Sequence, residues 1–241
     1  MSVNKDFETS WLEKFSNALE EIAGEEIRKK VMQGVGTGRD QSLPASQSDQ
    51  KQVIEWTKKA MKSLESLVDI NKVREIMTRC ACQYPLSELK DVRKQYEETK
   101  DIGLAHRMLQ EKFESFLKDN LNLSDELIEE IARQGWGLAG ILKDNTIIAT
   151  KIPKSGNLVK YMEETDPEIK RQYYCHCPRV RDILINIEPK ENISPLYCYC
   201  GAGFYKGIWE EILQKPVKVE LLESIFKGDD VCKFAIHLPI V

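Results

Sequence analysis

A chain of 241 residues has length for one large domain or two small ones, each with a real core. Its 35 Lys and Arg against 39 Asp and Glu leave a formal charge of −4, which argues against a broad nucleic-acid or anionic-membrane surface. No run approaches the ~20 apolar residues that a membrane span needs, and the opening MSVNKDFETSW carries no signal-peptide core, so a cytoplasmic protein is expected.

Residues 1–125 read as a helical region. Phe7, Trp11, Phe15, Leu19, Ile22 and Ile27 recur near a helical period with charges between them. A Gly/Ser/Pro-rich stretch near 34–50 reads as a flexible loop or helix break, since no Gly-Lys-Ser/Thr follows its glycines. Helices are then expected over Val53–Met61, Leu64–Met77, Leu86–Tyr96 and Gly103–Leu117. Ser124 is placed to cap another through Arg133, with Asp125 and Glu126 in its first turn.

The texture changes in residues 126–241. Ile141-Leu142 and Thr146–Ile152 flank Lys143-Asp-Asn145 as a hairpin, and a short helix is expected around Leu158–Glu164. Val180–Ile187 reads as a strand or a short helix, Pro189–Pro195 as a loop, and Phe204–Leu213 as a helix. Pro216–Phe226 and Val231–His237 alternate about the turn Lys227-Gly-Asp-Asp230, with Cys232, Phe234 and Ile236 on one face. The expected class is α+β: a helical N-terminal half, then a mixed domain whose antiparallel sheet is flanked by helices.

Six of the seven cysteines fall in three Cys-x-Cys pairs, Cys80-Ala-Cys82, Cys175-His-Cys177 and Cys198-Tyr-Cys200, with Cys232 left over. Chance would give about 0.2 such pairs. Paired thiols in a reducing compartment suit a soft metal, an iron–sulfur cluster or thiol chemistry better than structural disulfides. Free, partly buried cysteines on adjacent strands are the plain alternative. Cys80 and Cys82 lie near a helix end, from which they can join the same site once the helix has stopped.

Cys198-Tyr-Cys-Gly-Ala-Gly-Phe-Tyr205, a helix, a Pro-Val strand entry and Gly228-Asp-Asp-Val-Cys-Lys-Phe-Ala-Ile236 resemble the C-terminal part of the 4-vinyl reductase-like ligand-binding domain. The resemblance implies a small-molecule pocket between helices and an antiparallel sheet, with a structural zinc beside it in some members. Cys198 and Cys232 match the outer pair of that family's zinc ligands, while Leu221 and Ser224 stand at the inner pair's places. A zinc here would therefore draw on Cys175, Cys177 or Cys200. The second half also resembles an uncharacterised prokaryotic Cys-rich family carrying Lys-Ile-Pro-Lys154, Tyr-Cys-His-Cys-Pro-Arg179 and Glu-Ser-x-x-Lys-Gly-Asp-Asp230.

Candidate metal ligands are thus Cys175, Cys177, Cys198, Cys200 and Cys232, with zinc as the expected ion and an iron–sulfur cluster as the alternative. Arg179 and Arg181, with Lys151 and Lys154, can hold a carboxylate or phosphate, or form a solvated basic edge. Glu223 is in phase with inward Val217, Val219 and Leu221 unless a bulge turns it outward. Tyr199, Tyr205 and Trp209 belong to an aromatic group that lines a pocket or fills a core. His176 is assigned a supporting or surface role, and His106 a solvated one. The expected function is a small-molecule-binding sensor or carrier with a thiolate metal site, taking a small organic ligand, with a homodimer among the expected assemblies. A thiol-dependent hydrolase or redox enzyme and a ligand-free interaction module are the alternatives.

Overall fold

The structure, a computed structural model, describes residues 5–34, 47–153, 155–181, 183–186 and 193–239. In chain order it forms α1 (Lys5–Ala23), α2 (Glu25–Val31), α3 (Gln47–Leu67), α4 (Ile70–Arg79), α5 (Lys90–Thr99), α6 (Ile102–Leu121), α7 (Asp125–Arg133), β1 (Ile141–Lys143), β2 (Thr146–Thr150), α8 (Leu158–Glu163), α9 (Pro167–Tyr174), α10 (Ile183–Asn186), α11 (Tyr199–Leu213), β3 (Lys218–Glu223) and β4 (Lys233–His237). Short 3-10 turns lie at Leu86–Leu89, Ser155–Asn157, Pro195–Cys198 and Ile225–Lys227. The fold is α+β. Among the described residues, no helix is long and apolar enough to cross a membrane.

The chain divides into two units, each assembled from two stretches: Met1–Ala81 with Cys175–Cys200, and Cys82–Tyr174 with Gly201–Val241. In the first unit α1 buries Trp11, Phe15, Ala18 and Leu19, a stripe at helical spacing. Trp11 and Phe15 stack at 5.1 Å, and Phe15 meets the edge of Trp56 on α3 at 6.2 Å. Helix α4 contributes Val73, Ile76 and Met77 on one face, and Cys80 is buried just past its end. The expected break between Met61 and Leu64 is absent. Helix α3 runs on to Leu67, and the break falls at Asp69, whose carboxylate accepts from the amides of Asn71 and Lys72 at 3.0 and 3.2 Å.

In the second unit α6 packs on α5 and α7, with Leu109, Phe113 and Leu117 buried in line. Ser124 caps α7 as expected, its hydroxyl accepting from Leu127 N at 3.3 Å. The sheet is antiparallel throughout, in the order β1-β2-β4-β3. Both expected hairpin regions are present, and β4 lies between β2 and β3, with Phe234, Ala235 and Ile236 all buried. His106 departs from its expected solvation. It is part-buried and its Nε2 lies 3.0 Å from Gly140 O, so Nε2 must carry the proton that a carbonyl can only accept.

Between the expected elements, Val180–Ile187 yields the helix α10 over Ile183–Asn186. Residues 35–46 of the soft stretch, Lys154, Asp182 and Ile187 of the Val180–Ile187 segment, and residues 189–192 of the loop Pro189–Pro195 lie outside the described residues.

Candidate functional site

Local geometry first changes what the Cys-x-Cys pairs can do. Cys80 caps the C-terminus of α4, and Cys82 lies beyond it, exposed. Cys175 and Cys177 follow the end of α9, both half-buried. Cys198 ends a 3-10 turn started by Ser194 and Pro195, and that turn passes directly into α11. The helix therefore begins five residues earlier than expected, at Tyr199, and Cys200 is its second residue. Two residues of a helix two apart diverge by ~200°, so the strand-face reading fails for this pair. Gly201 permits the early start: a Cβ there would sit 2.7 Å from Phe234 Cζ.

The first unit gathers Cys80, Cys175, Cys177, Cys198 and Cys200, whereas Cys82 and Cys232 belong to the second. Tyr197, fully enclosed, stands among them. Its hydroxyl lies 3.5 Å from Cys177 Sγ and 3.5 Å from Arg179 Nη1. Burial, followed by the nearby Cys177 and Cys200, pushes this phenol well above its usual range. Cys200 donates its S–H to Cys80 O at 3.3 Å, and Cys80 donates to Ile76 O at 3.2 Å. Burial and then the neighbouring Cys200 hold the Cys80 thiol well above its ordinary value, with Arg179 and Lys14 opposing.

Arg179 is not on a solvated edge. It has no exposed surface, and residues 178–181 turn rather than extend. Its Nε and Nη2 donate to Glu8 Oε2 and Oε1 at 2.7 and 2.8 Å, and its guanidinium lies 3.7 Å over Trp11. Burial works against the charge, but Tyr197 and Glu8 outweigh it and raise its pKa. The carboxylate this arginine holds is the protein's own. Arg181 is half-buried. Glu8 was legible in principle: a carboxylate in phase with Trp11, Phe15 and Leu19 sits on an apolar stripe and requires a buried cation.

Of the other expected ligand-binding residues, Tyr199 belongs to the first unit and Tyr205, Trp209 and Glu223 to the second. Tyr199 is buried under the Arg74 guanidinium at 5.6 Å. Tyr205 donates its hydroxyl to Gly137 O at 3.0 Å, and Trp209 is wholly enclosed, so both serve as core. A register shift between Leu221 and Glu223 turns Glu223 to Lys233 Nζ at 2.7 Å, the outward alternative. Cys232 is buried, and its amide donates to the Tyr174 hydroxyl at 2.7 Å.

Two open grooves mark the second unit. One, of about 550 Å³, is lined by Cys82, Tyr84, Phe204, Gly207, Glu210 and Pro216 among others. The other, of about 640 Å³, is lined by Tyr84, Glu88, Met108, Glu111, Phe116 and Asp119 among others. None of Arg179, Arg181, Tyr199, Tyr205, Trp209 or Glu223 lines either groove. Among the described residues, no group of three or more His, Cys, Asp or Glu side chains stands ready to hold a metal ion.

Fold and site together define an α+β protein in which Cys80, Cys177 and Cys200 lie near a buried arginine–carboxylate pair. Residues 153–240 match the model of a family of unknown function (DUF6144). Over 41 residues the chain is 42% identical to the uncharacterised protein MJ0745 of Methanocaldococcus jannaschii, a match covering 17% of this chain and 23% of that relative. No solved structure matches.

Proposed function

We propose that this protein binds a small organic ligand, as a sensor or carrier, and that its clustered thiolates hold a structural zinc ion. The observation that carries the reading is the approach of cysteines from three separate stretches: Cys200 Sγ reaches the Cys80 carbonyl, and Cys177 and Cys200 both bear on Tyr197. Thiolates delivered from separate elements suit a tetrahedral soft-metal site better than a single Cys-x-Cys chelate. The resemblance of Cys198–Ile236 to the 4-vinyl reductase-like domain supports the ligand-binding half of the proposal. A reducing, cytoplasmic setting would keep the thiols available. The test is elemental analysis with an absorption spectrum on protein purified anaerobically. Stoichiometric zinc, lost in Cys177→Ser and Cys200→Ser, is expected; iron with a broad visible band would move the assignment to a cluster, and absence of both would overturn the metal.

A thiol-dependent enzyme is the second reading, and one contact favours it. Cys177 Sγ touches the Tyr197 hydroxyl, which is itself backed by the Arg179 guanidinium, an arrangement that places positive charge behind a half-exposed sulfur. Tyr197→Phe would then slow alkylation of Cys177 by iodoacetamide; an unchanged rate would discard the reading.

A further inference from the structure

We infer that Cys80 and Cys200 are a redox pair that closes into a disulfide when a peroxide reaches Cys200. The two stand 120 positions apart in sequence, yet Cys200 Sγ lies 3.3 Å from the carbonyl oxygen of Cys80 itself. That contact rests Cys200 Sγ on its partner's backbone, and closing the bridge requires the two Cα atoms to stand about 4.4–6.8 Å apart with the Cys80 sulfur turned from Ile76 O. Each cysteine also stands at or beside the end of one of the two stretches that make the first unit, which close at Ala81 and Cys200. A bridge would tie those two ends together from within that unit.

The division of labour follows from burial. Cys200 is half-buried and within reach of a small oxidant, whereas Cys80 is 1% exposed and shielded. The Cys80 thiol donates to Ile76 O, 3.2 Å away, and rotation about its side-chain bond releases it. Cys175, Cys177 and Cys198 share the first unit and are the competitors that the test must separate. Cys198 and Cys200 diverge across a 3-10 turn and the first turn of α11, and Cys177 rests on Tyr197.

The chemistry balances with a hydroperoxide as the oxidant. Cys200 sulfur attacks a peroxide oxygen, the O–O bond breaks, and the departing hydroxide takes the thiol proton as water, leaving a sulfenic acid. Cys80 sulfur then attacks Cys200 sulfur, the S–S bond forms and the S–O bond breaks. The second hydroxide leaves with the Cys80 proton as water. Two thiols are oxidised and one hydrogen peroxide becomes two waters.

The test uses the full chain, purified anaerobically, its metal content measured and then stripped by a chelator. One equivalent of hydrogen peroxide is added, remaining thiols are alkylated, and the digest is mapped without reductant. The expected result is a linked Cys80–Cys200 peptide pair, lost in Cys200→Ser and kept in Cys198→Ser, with a higher unfolding temperature for the oxidised wild type. Cys80 found wholly alkylated, or a predominant Cys177–Cys200 bridge, would overturn it. The wild-type map decides alone should a variant not fold. Because metal content is read first, loss of the zinc reading leaves this result intact, and a zinc protein that forms no bridge after chelation would sink only the redox pair.

Discussion

Arg179 and Glu8 meet through two parallel hydrogen bonds of 2.7 and 2.8 Å although 171 positions separate them, and neither is more than 7% exposed at its side chain. The pair ties the start of α1 to the segment carrying Cys175 and Cys177, so the geometry around Tyr197 depends on it. Removing one partner strands the other charge in a dry site, which costs about 3–5 kcal/mol. Glu8→Ala is therefore expected to lower the urea midpoint sharply. The double variant Glu8→Leu/Arg179→Met should recover much of that loss, because no unpaired charge remains. Additive losses in the double-mutant cycle would show that the pair does not act as one.

A second prediction concerns Tyr174. Its hydroxyl accepts from Cys232 N at 2.7 Å and donates to Lys151 O at 2.7 Å, which fastens the end of α9 to the approach of β4. Tyr174→Phe keeps the ring but leaves a buried amide without its acceptor, at a cost of about 1–3 kcal/mol. Hydrogen exchange at the Cys232 amide should quicken by the matching factor. Unchanged exchange would mean that another acceptor takes over.

The two glycines Gly137 and Gly207 should respond in opposite senses to alanine. Gly137 has φ +92°, and a Cβ there would meet the Phe113 ring at 2.2 Å. Gly137→Ala should cost about 2 kcal/mol or more through backbone strain and displacement of that ring. Gly207 is helical, and a Cβ there would meet nothing within 4 Å. Gly207→Ala should stabilise by about 0.5–1 kcal/mol through reduced unfolded-chain entropy. Thermal unfolding of both variants checks the pair.

His106 supplies the pH prediction. Burial chiefly lowers its pKa from the ordinary 6.5, with the Gly140 and Ala139 backbone opposing. A base whose folded value is depressed binds protons more readily when unfolded, so stability rises with pH across that interval. The contribution is complete above pH 6.5 and declines as pH falls toward the lowered folded value. His106→Gln, which can still donate to Gly140 O, should flatten this part of the stability profile measured by urea midpoints. A variant that keeps the full slope would assign it elsewhere.

Much of the architecture was readable from local pattern. The stripe Trp11, Phe15, Leu19 and the Ser124 cap specify their helices by spacing and capping chemistry alone, and the alternation before and after Gly228 marks two strands. Those signals act over a few residues, so a linear reading captures them. Helix breaks were less legible: the interruption at Asp69 depends on a cap that competes with an apolar pattern running past it. The early start of α11 was hidden because glycines usually weaken a helix, and only the close approach of Phe234 explains Gly201.

By itself, the sequence determined that this is an α+β chain whose cysteines are clustered too tightly for chance, and it named those cysteines. Tertiary structure decided which of them meet. It turned Arg179 from an apparent edge charge into the buried partner of Glu8, set Cys200 against Cys80, and withdrew Tyr205 and Trp209 into the core. The physical reason is separation: contacts across 120 and 171 positions form when distant segments pack, and no periodicity of neighbouring residues encodes the address of a partner that far away.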